Sequence, residues 1–139
     1  LYVWSDMFDP NHNARDKYYL VNGAWAGSWE GLDKDTVIVN WYYDKRDVNL
    51  KWFADRGHKQ ILAGYYDRDP ERIATWLEAA DKVDGVIGVM YTTWQNKYED
   101  LEKFAAAVDG FLAEKRARSQ GSATRQDARV CAITSSAAP

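Results

Sequence analysis

The sequence predicts an α/β fold, and three observations carry the prediction. Strand-length apolar runs begin at Leu1, Thr36, Gln60 and Val86, the last three spaced about 25 residues apart. Helical patterns fill the intervals after the second, third and fourth runs. The runs are apolar through their centres rather than alternating, as in Val37-Ile38-Val39, which suits strands covered on both faces. Strands alternating with helices at this spacing imply right-handed βαβ units and a parallel sheet.

The elements follow in order. Leu1–Met7 is the first strand, and Asp9-Pro10-Asn11-His12-Asn13 after it is dense in turn formers. Residues 15–33 are interrupted by Gly23, Gly27 and Gly31 and read as a long decorated loop. Tyr18-Tyr19-Leu20-Val21 is a candidate short strand within it, and Trp25 and Trp29 either form a lid or pack inward. Thr36–Tyr43 is the second strand. Asp47–Arg56 is helical, with Val48, Trp52 and Phe53 toward one face and Gly57 as its C′ residue. Gln60–Tyr66 is the third strand. Asp69-Pro70-Glu71 then supplies an N-cap acid, a proline at N1 and a first-turn carboxylate, starting a helix that runs to about Lys82. Asp84-Gly85 turns into the fourth strand, Val86–Thr92. Tyr98, Leu101, Phe104, Val108 and Phe111 or Leu112 form the apolar stripe of a last helix. From about residue 115 to 139 the composition turns to Ser, Ala, Arg, Gln and Thr without periodicity, which predicts a disordered tail behind a folded region of 1–114.

Four parallel strands with three helices make half of a (β/α)8 barrel, since a complete one needs about 250 residues. The expected architecture is therefore a partial TIM barrel corresponding to strands five to eight. A chain that opens inside a strand is also expected to be part of a longer sequence. A half barrel leaves two open sheet edges with unpaired backbone groups, so the chain is expected to form a homo-oligomer through those edges, to aggregate, or to have lost upstream sequence.

Composition narrows the partners. The net charge of −3 is uneven: five cations against one acid give residues 115–139 a charge of +4, leaving −7 on the first 114. An acidic folded part argues against nucleic acid. No apolar run approaches the roughly 18 residues of a spanning helix, so no membrane partner is expected. Cys131 is the single cysteine, which excludes an intrachain disulfide or a cysteine metal cluster. Asp6, Asp9, His12 and Asp16 do not form a ligand set of defined geometry, so no metal is expected. Neither Gly-x-Gly-x-x-Gly nor Gly-x-x-x-x-Gly-Lys occurs, and no cofactor is expected.

The strand ends are where the chemistry gathers. Trp4 and Asp6 close the first run, Trp41, Tyr42, Tyr43 and Asp44 the second, Tyr65, Tyr66 and Asp67 the third, and Tyr91, Thr92, Thr93 and Trp94 the fourth. Flat apolar rings beside hydrogen-bonding groups suit a sugar, apolar on its C–H faces and polar around its rim. Parallel barrels build their active sites at these carboxyl ends. Val3-Trp4-Ser5-Asp6-Met7, Asn40-Trp41-Tyr42-Tyr43, Gly64-Tyr65-Tyr66-Asp67 and Gly88-Val89-Met90-Tyr91-Thr92-Thr93-Trp94 together resemble strands five to eight of the β-N-acetylhexosaminidase family, glycoside hydrolase family 20. The resemblance covers about residues 1–112.

That resemblance implies that Trp4, Trp41 and Trp94 wall a pocket for the sugar and its acetamido group. It implies that Tyr65 or Tyr66 hydrogen-bonds the acetamido carbonyl and that Asp67 binds a sugar hydroxyl. The family leaves one residue between its Tyr and Asp, a spacing met only by Tyr65, and it tends to place an acid where this chain has Asn96. Its catalytic Asp-Glu pair, which serves a substrate-assisted mechanism, falls upstream of Leu1. The expected substrate-binding set is thus Trp4, Asp6, Trp41, Tyr65, Tyr66, Asp67 and Trp94, with a carbohydrate as partner and no catalytic residue assigned. Asp6 and Asp44 are the remaining acids at strand ends. Trp52 and Trp76 are expected in the core, and His58 in a structural role at the opposite end of the sheet. Two other functions compete: a non-catalytic carbohydrate-binding domain using the same aromatic pocket, and a flavodoxin-like interaction domain.

Overall fold

The computed structural model describes residues 1–17 and 22–135, with side chains as far as Gln120. The candidate strand at 18–21 lies outside the described residues. Four strands, β1 (Tyr2–Trp4), β2 (Val37–Asn40), β3 (Gln60–Leu62) and β4 (Val86–Val89), form one sheet in the order β1-β2-β3-β4, every pair parallel. Three helices, α1 (Arg46–Ala54), α2 (Ile73–Ala80) and α3 (Leu101–Ser135), complete an α/β fold. The ladders are shorter than the apolar runs because pairing ends at Trp4, Asn40, Leu62 and Val89. Beyond these points β1 passes at once into a bend and turn over residues 5–8, whereas β2, β3 and β4 run on for two to four residues without a turn.

Register divides the sheet into two faces. Trp4 stands beside Val39, Val39 beside Ile61, and Ile61 beside Gly88. Because side chains alternate along a strand, the neighbours of this row belong to the opposite face. That opposite face carries Leu62 and Tyr66, which pack with Leu50, Ile73, Trp76, Leu77 and Phe104 of the helices into the main core. Two buried amides lie there too: Asn40 Nδ2 donates to Gln60 Oε1 at 2.7 Å, and Gln60 Nε2 donates to the Leu50 carbonyl at 3.0 Å. These bonds tie β2, β3 and α1 together with polar groups that burial would otherwise penalise.

Helix ends obey local chemistry. Asp69 accepts the Glu71 amide at 3.0 Å and Pro70 follows it, but the first turn, Pro70–Arg72, is 3-10 before α2 begins. Gly57, at φ 79°, closes the turn after α1 with its amide on the Ala54 carbonyl at 2.8 Å. Gly64 is fixed by contact instead, since a Cβ there would collide with the indole of Trp76. Trp76 is core as expected, whereas Trp52 is only half buried, under the guanidinium of Arg56 at 3.5 Å. His58 is buried below the sheet, its Nδ1 3.2 Å from the Thr36 carbonyl.

The last helix differs from the sequence expectation in extent. Where composition predicts a disordered tail over 115–139, α3 continues to Ser135, and 136–139 lie outside the described residues. The first turns of α3 are held by Phe104, edge-on to Tyr66 and Tyr91 at 4.8 and 5.2 Å. From Leu112 to Gln120 its side chains are exposed, with Lys115 paired to Asp81. Ala, Arg and Gln in this stretch are good helix formers, which lets a helix persist without a core-facing stripe.

Candidate functional site

A cavity of about 240 Å³ opens at the carboxyl end of the sheet. Trp4 and Asp6 reach it from the end of β1, Trp41 from β2, Ala63 and Tyr65 from β3, and Thr92 and Trp94 from β4. Each is an even number of residues from the Trp4–Val39–Ile61–Gly88 row. For Trp4, Trp41, Ala63, Tyr65 and Thr92 the cavity continues one sheet face beyond the last ladder bonds, while Asp6 and Trp94 reach it from a turn and a bend. Five of the seven expected binding residues meet here. Thr92 and Ala63 complete the floor, with Thr92 Oγ1 bonded to the Gly64 carbonyl and 3.3 Å from that of Ala63.

The indole walls differ in support. Trp41 is half buried and meets His12 edge-on at 4.9 Å, while the imidazole stacks on Tyr42 at 4.2 Å. Burial lowers the His12 pKa against the opposing charge of Asp6, with Arg15 lowering it further. Trp94 is 75% exposed, so almost its whole indole is free to meet a ligand. Next to it in the chain, Gln95 donates through Nε2 to the Tyr65 hydroxyl at 3.0 Å. Asp6, whose carboxylate is 3.4 Å from Asn13 Nδ2, is the one acid lining the cavity.

Two expected binding residues are elsewhere, and both are corrections. Tyr66 follows Tyr65 by one residue and so points to the helix face. It is fully buried, stacked 5.9 Å from Tyr91, with its hydroxyl accepting the Gly64 amide at 3.0 Å. Burial pushes its phenol pKa well up, so it stays neutral. Asp67 is also fully buried and does not line the cavity. Its carboxylate accepts the Thr93 hydroxyl, the Trp94 amide at 2.6 Å and the Gln95 amide at 3.2 Å. Burial works to raise the Asp67 pKa, but these donors, with the Tyr65 hydroxyl, outweigh it and hold the carboxyl below its ordinary range.

Other residues near the site escape sequence reasoning. Asp9, read as part of a turn, is fully buried, with the Asn11 amide on one oxygen at 2.7 Å and Asn49 Nδ2 on the other. Asn11 Nδ2 in turn donates to Asn49 Oδ1 at 3.0 Å. Burial raises the Asp9 carboxyl to about 6, with the nearby Asp6 charge adding to the effect against those hydrogen bonds. The available signal was Asn49, a polar residue in the buried stripe of α1. Trp29 meets Trp52 edge-on at 5.5 Å and so packs against α1 rather than over the cavity, and Ser28 anchors the same loop to the Met7 carbonyl. Asp44 is exposed and absent from the cavity wall.

Among the described residues no three of His, Cys, Asp and Glu converge as metal ligands, and no helix is long and apolar enough to cross a membrane. Fold and site thus define an α/β protein with an aromatic, single-acid cavity at the carboxyl ends of parallel strands. No family model, curated protein or solved structure matches the chain.

Proposed function

We propose that the cavity binds a hexose-type ring and that the chain is the sugar-binding half of a glycoside hydrolase barrel, acting on N-acetylhexosamine-type glycosides. In that reading β1 to β4 are strands five to eight of the barrel. The observation that carries it is the convergence of Trp4, Trp41 and Trp94 with Tyr65 and Asp6 in one cavity. Indole faces match the C–H faces of a pyranose, and the Tyr65 hydroxyl and Asp6 carboxylate match its rim. A volume of about 240 Å³ falls below the roughly 300–1,000 Å³ of drug-sized sites, a size for one ring rather than a chain. The chemistry assigned to the whole barrel is acid-assisted cleavage of the glycosidic bond, with the acid supplied by upstream sequence.

Among the described residues Asp6 is the one carboxylate on the cavity wall, so the cavity wall itself presents no acid–base pair. That favours, as the second reading, sugar binding without turnover. Calorimetric titration of the chain with N-acetylglucosamine separates both from a non-sugar role. Binding is expected, weakened about tenfold by Trp94→Ala, the worth of one aromatic stacking contact. A flat titration with N-acetylglucosamine, glucose and galactose alike would remove the sugar reading. Turnover of a chromogenic N-acetylglucosaminide by the chain extended with its upstream coding sequence decides for hydrolysis; binding without turnover in that form decides for the module.

A further inference from the structure

The loop between β4 and α3 carries the most exposed wall of the cavity. The Trp94 indole is 75% exposed, so its direction follows from the backbone that bears it. That backbone is clamped from the end of β3. Asp67 is 0% exposed. One of its carboxylate oxygens takes the Trp94 amide at 2.6 Å and the Gln95 amide at 3.2 Å, and the other takes the Thr93 hydroxyl. Its carbonyl takes Lys97 Nζ at 2.7 Å.

The loop then folds on itself, with the Lys97 amide on Thr93 Oγ1 at 3.0 Å, the Tyr91 hydroxyl on the Lys97 carbonyl at 2.5 Å, and Asn96 at φ 57°. Both Asp67 oxygens are thus occupied by the loop, and no exposed surface remains on the residue for a ligand hydroxyl. Thr93 is used twice, donating to Asp67 and accepting from Lys97. The Asp67 carboxylate therefore takes three of the donors that shape the turn, beside the bonds the loop makes to itself.

We propose that Asp67 is the positioning residue of the cavity, latching the loop at 93–97 so that Trp94 forms a wall and Gln95 engages the Tyr65 hydroxyl. One strand end then supplies a cavity residue, Tyr65, and, two residues later, the latch for the facing wall. Charge-assisted acceptance of two backbone amides is the strong form of such a bond and tolerates little rearrangement. The ligand part of the proposal rests on the sugar-binding reading of the site; the latch itself does not.

The test is hydrogen–deuterium exchange by mass spectrometry on the full chain, paired with N-acetylglucosamine titration. In Asp67→Ala, exchange across 93–97 is expected to rise about tenfold or more, the scale of a lost charge-assisted bond, while β2 and β3 keep their protection. Asp67→Asn retains an acceptor oxygen and is expected to restore part of the protection. Binding should weaken about tenfold in Asp67→Ala, and this loss should shrink in a Trp94→Ala background, because the residue acts in large part through the indole. Unchanged exchange at 93–97 overturns the latch. So does a binding loss that persists undiminished without Trp94, which would mark direct contact with the sugar. If Asp67→Ala loses protection everywhere, Thr93→Val decides: it removes one bond to the Asp67 carboxylate together with the acceptor of the Lys97 amide, so the readout is the Trp94 and Gln95 amides, and unchanged exchange there overturns the proposal. Raised exchange in a chain that binds no sugar sustains the latch and removes only the sugar reading.

Discussion

Asp9 offers the sharpest quantitative test of the fold. It is a fully buried carboxyl between the first strand and α1, and its pKa lies at about 6 against an ordinary 3.8. A raised acid pKa means that the folded protein holds its proton where the unfolded chain has released it. The stabilisation is complete below pH 3.8 and is lost as pH rises through about 6. The interval between those values, at about 1.4 kcal/mol per pH unit, sets a loss of about 3 kcal/mol. Most of it falls between roughly pH 4 and 6. Asp9→Asn removes the ionisation while keeping an oxygen for the Asn11 amide. Its absolute stability depends on how the new amide meets Asn49 Nδ2, so the comparison is of slopes. Urea denaturation from pH 4 to 8, followed by tryptophan fluorescence, should show the wild-type chain losing about 2.5 kcal/mol relative to Asp9→Asn, then running parallel to it above pH 7. Parallel curves over the whole range would refute the burial-driven pKa and with it the account of Asp9 as a desolvated anchor.

Two further expectations concern packing and assembly. Gly64→Ala drives a Cβ into the buried Trp76 indole, and calorimetry should show destabilisation of about 1–3 kcal/mol; an unchanged Tm means that α2 yields more readily than its burial implies. The 139-residue chain is expected to self-associate through the open outer edges of β1 and β4, where Tyr2, Trp4 and Ile87 are exposed, and Ile87→Lys should shift it toward monomer. Sedimentation of the wild-type chain as a monomer at all concentrations overturns that expectation.

The four parallel strands and three helices were legible because their signals are local and redundant. Runs such as Val37-Ile38-Val39, the Asp69-Pro70-Glu71 start and the Gly57 stop each act within a few residues, and the structure uses all three. The cavity was legible for the same reason, since aromatic residues at strand ends announce themselves in order along the chain. What stayed hidden depends on pairs distant in sequence. Asp9 and Asn49 are 40 residues apart and nothing near either one marks the other as its partner. His12 reads as a turn residue until Trp41 and Tyr42 are seen against its ring. The extent of α3 was missed because its exposed portion has no apolar periodicity to detect, although its residues favour helix individually.

Tyr65, Tyr66 and Asp67 show why residue type alone could not divide these roles. All three are polar-capable groups at the end of one strand, and each is chemically able to touch a sugar. Alternation sends Tyr65 to the cavity and Tyr66 to the helices, where its ring joins Tyr91 and Phe104. Asp67 returns to the parity of Tyr65 but is already covered by the loop that follows β4, and two amides and a hydroxyl reach its carboxylate before any ligand can. The decisive quantity for Tyr66 is register, which a one-residue shift would invert. For Asp67 it is the loop some 26 residues downstream, whose Thr93 hydroxyl and Trp94 and Gln95 amides reach its carboxylate. The wall that a sugar would meet is Trp94, and Asp67 serves the site by deciding where that indole stands.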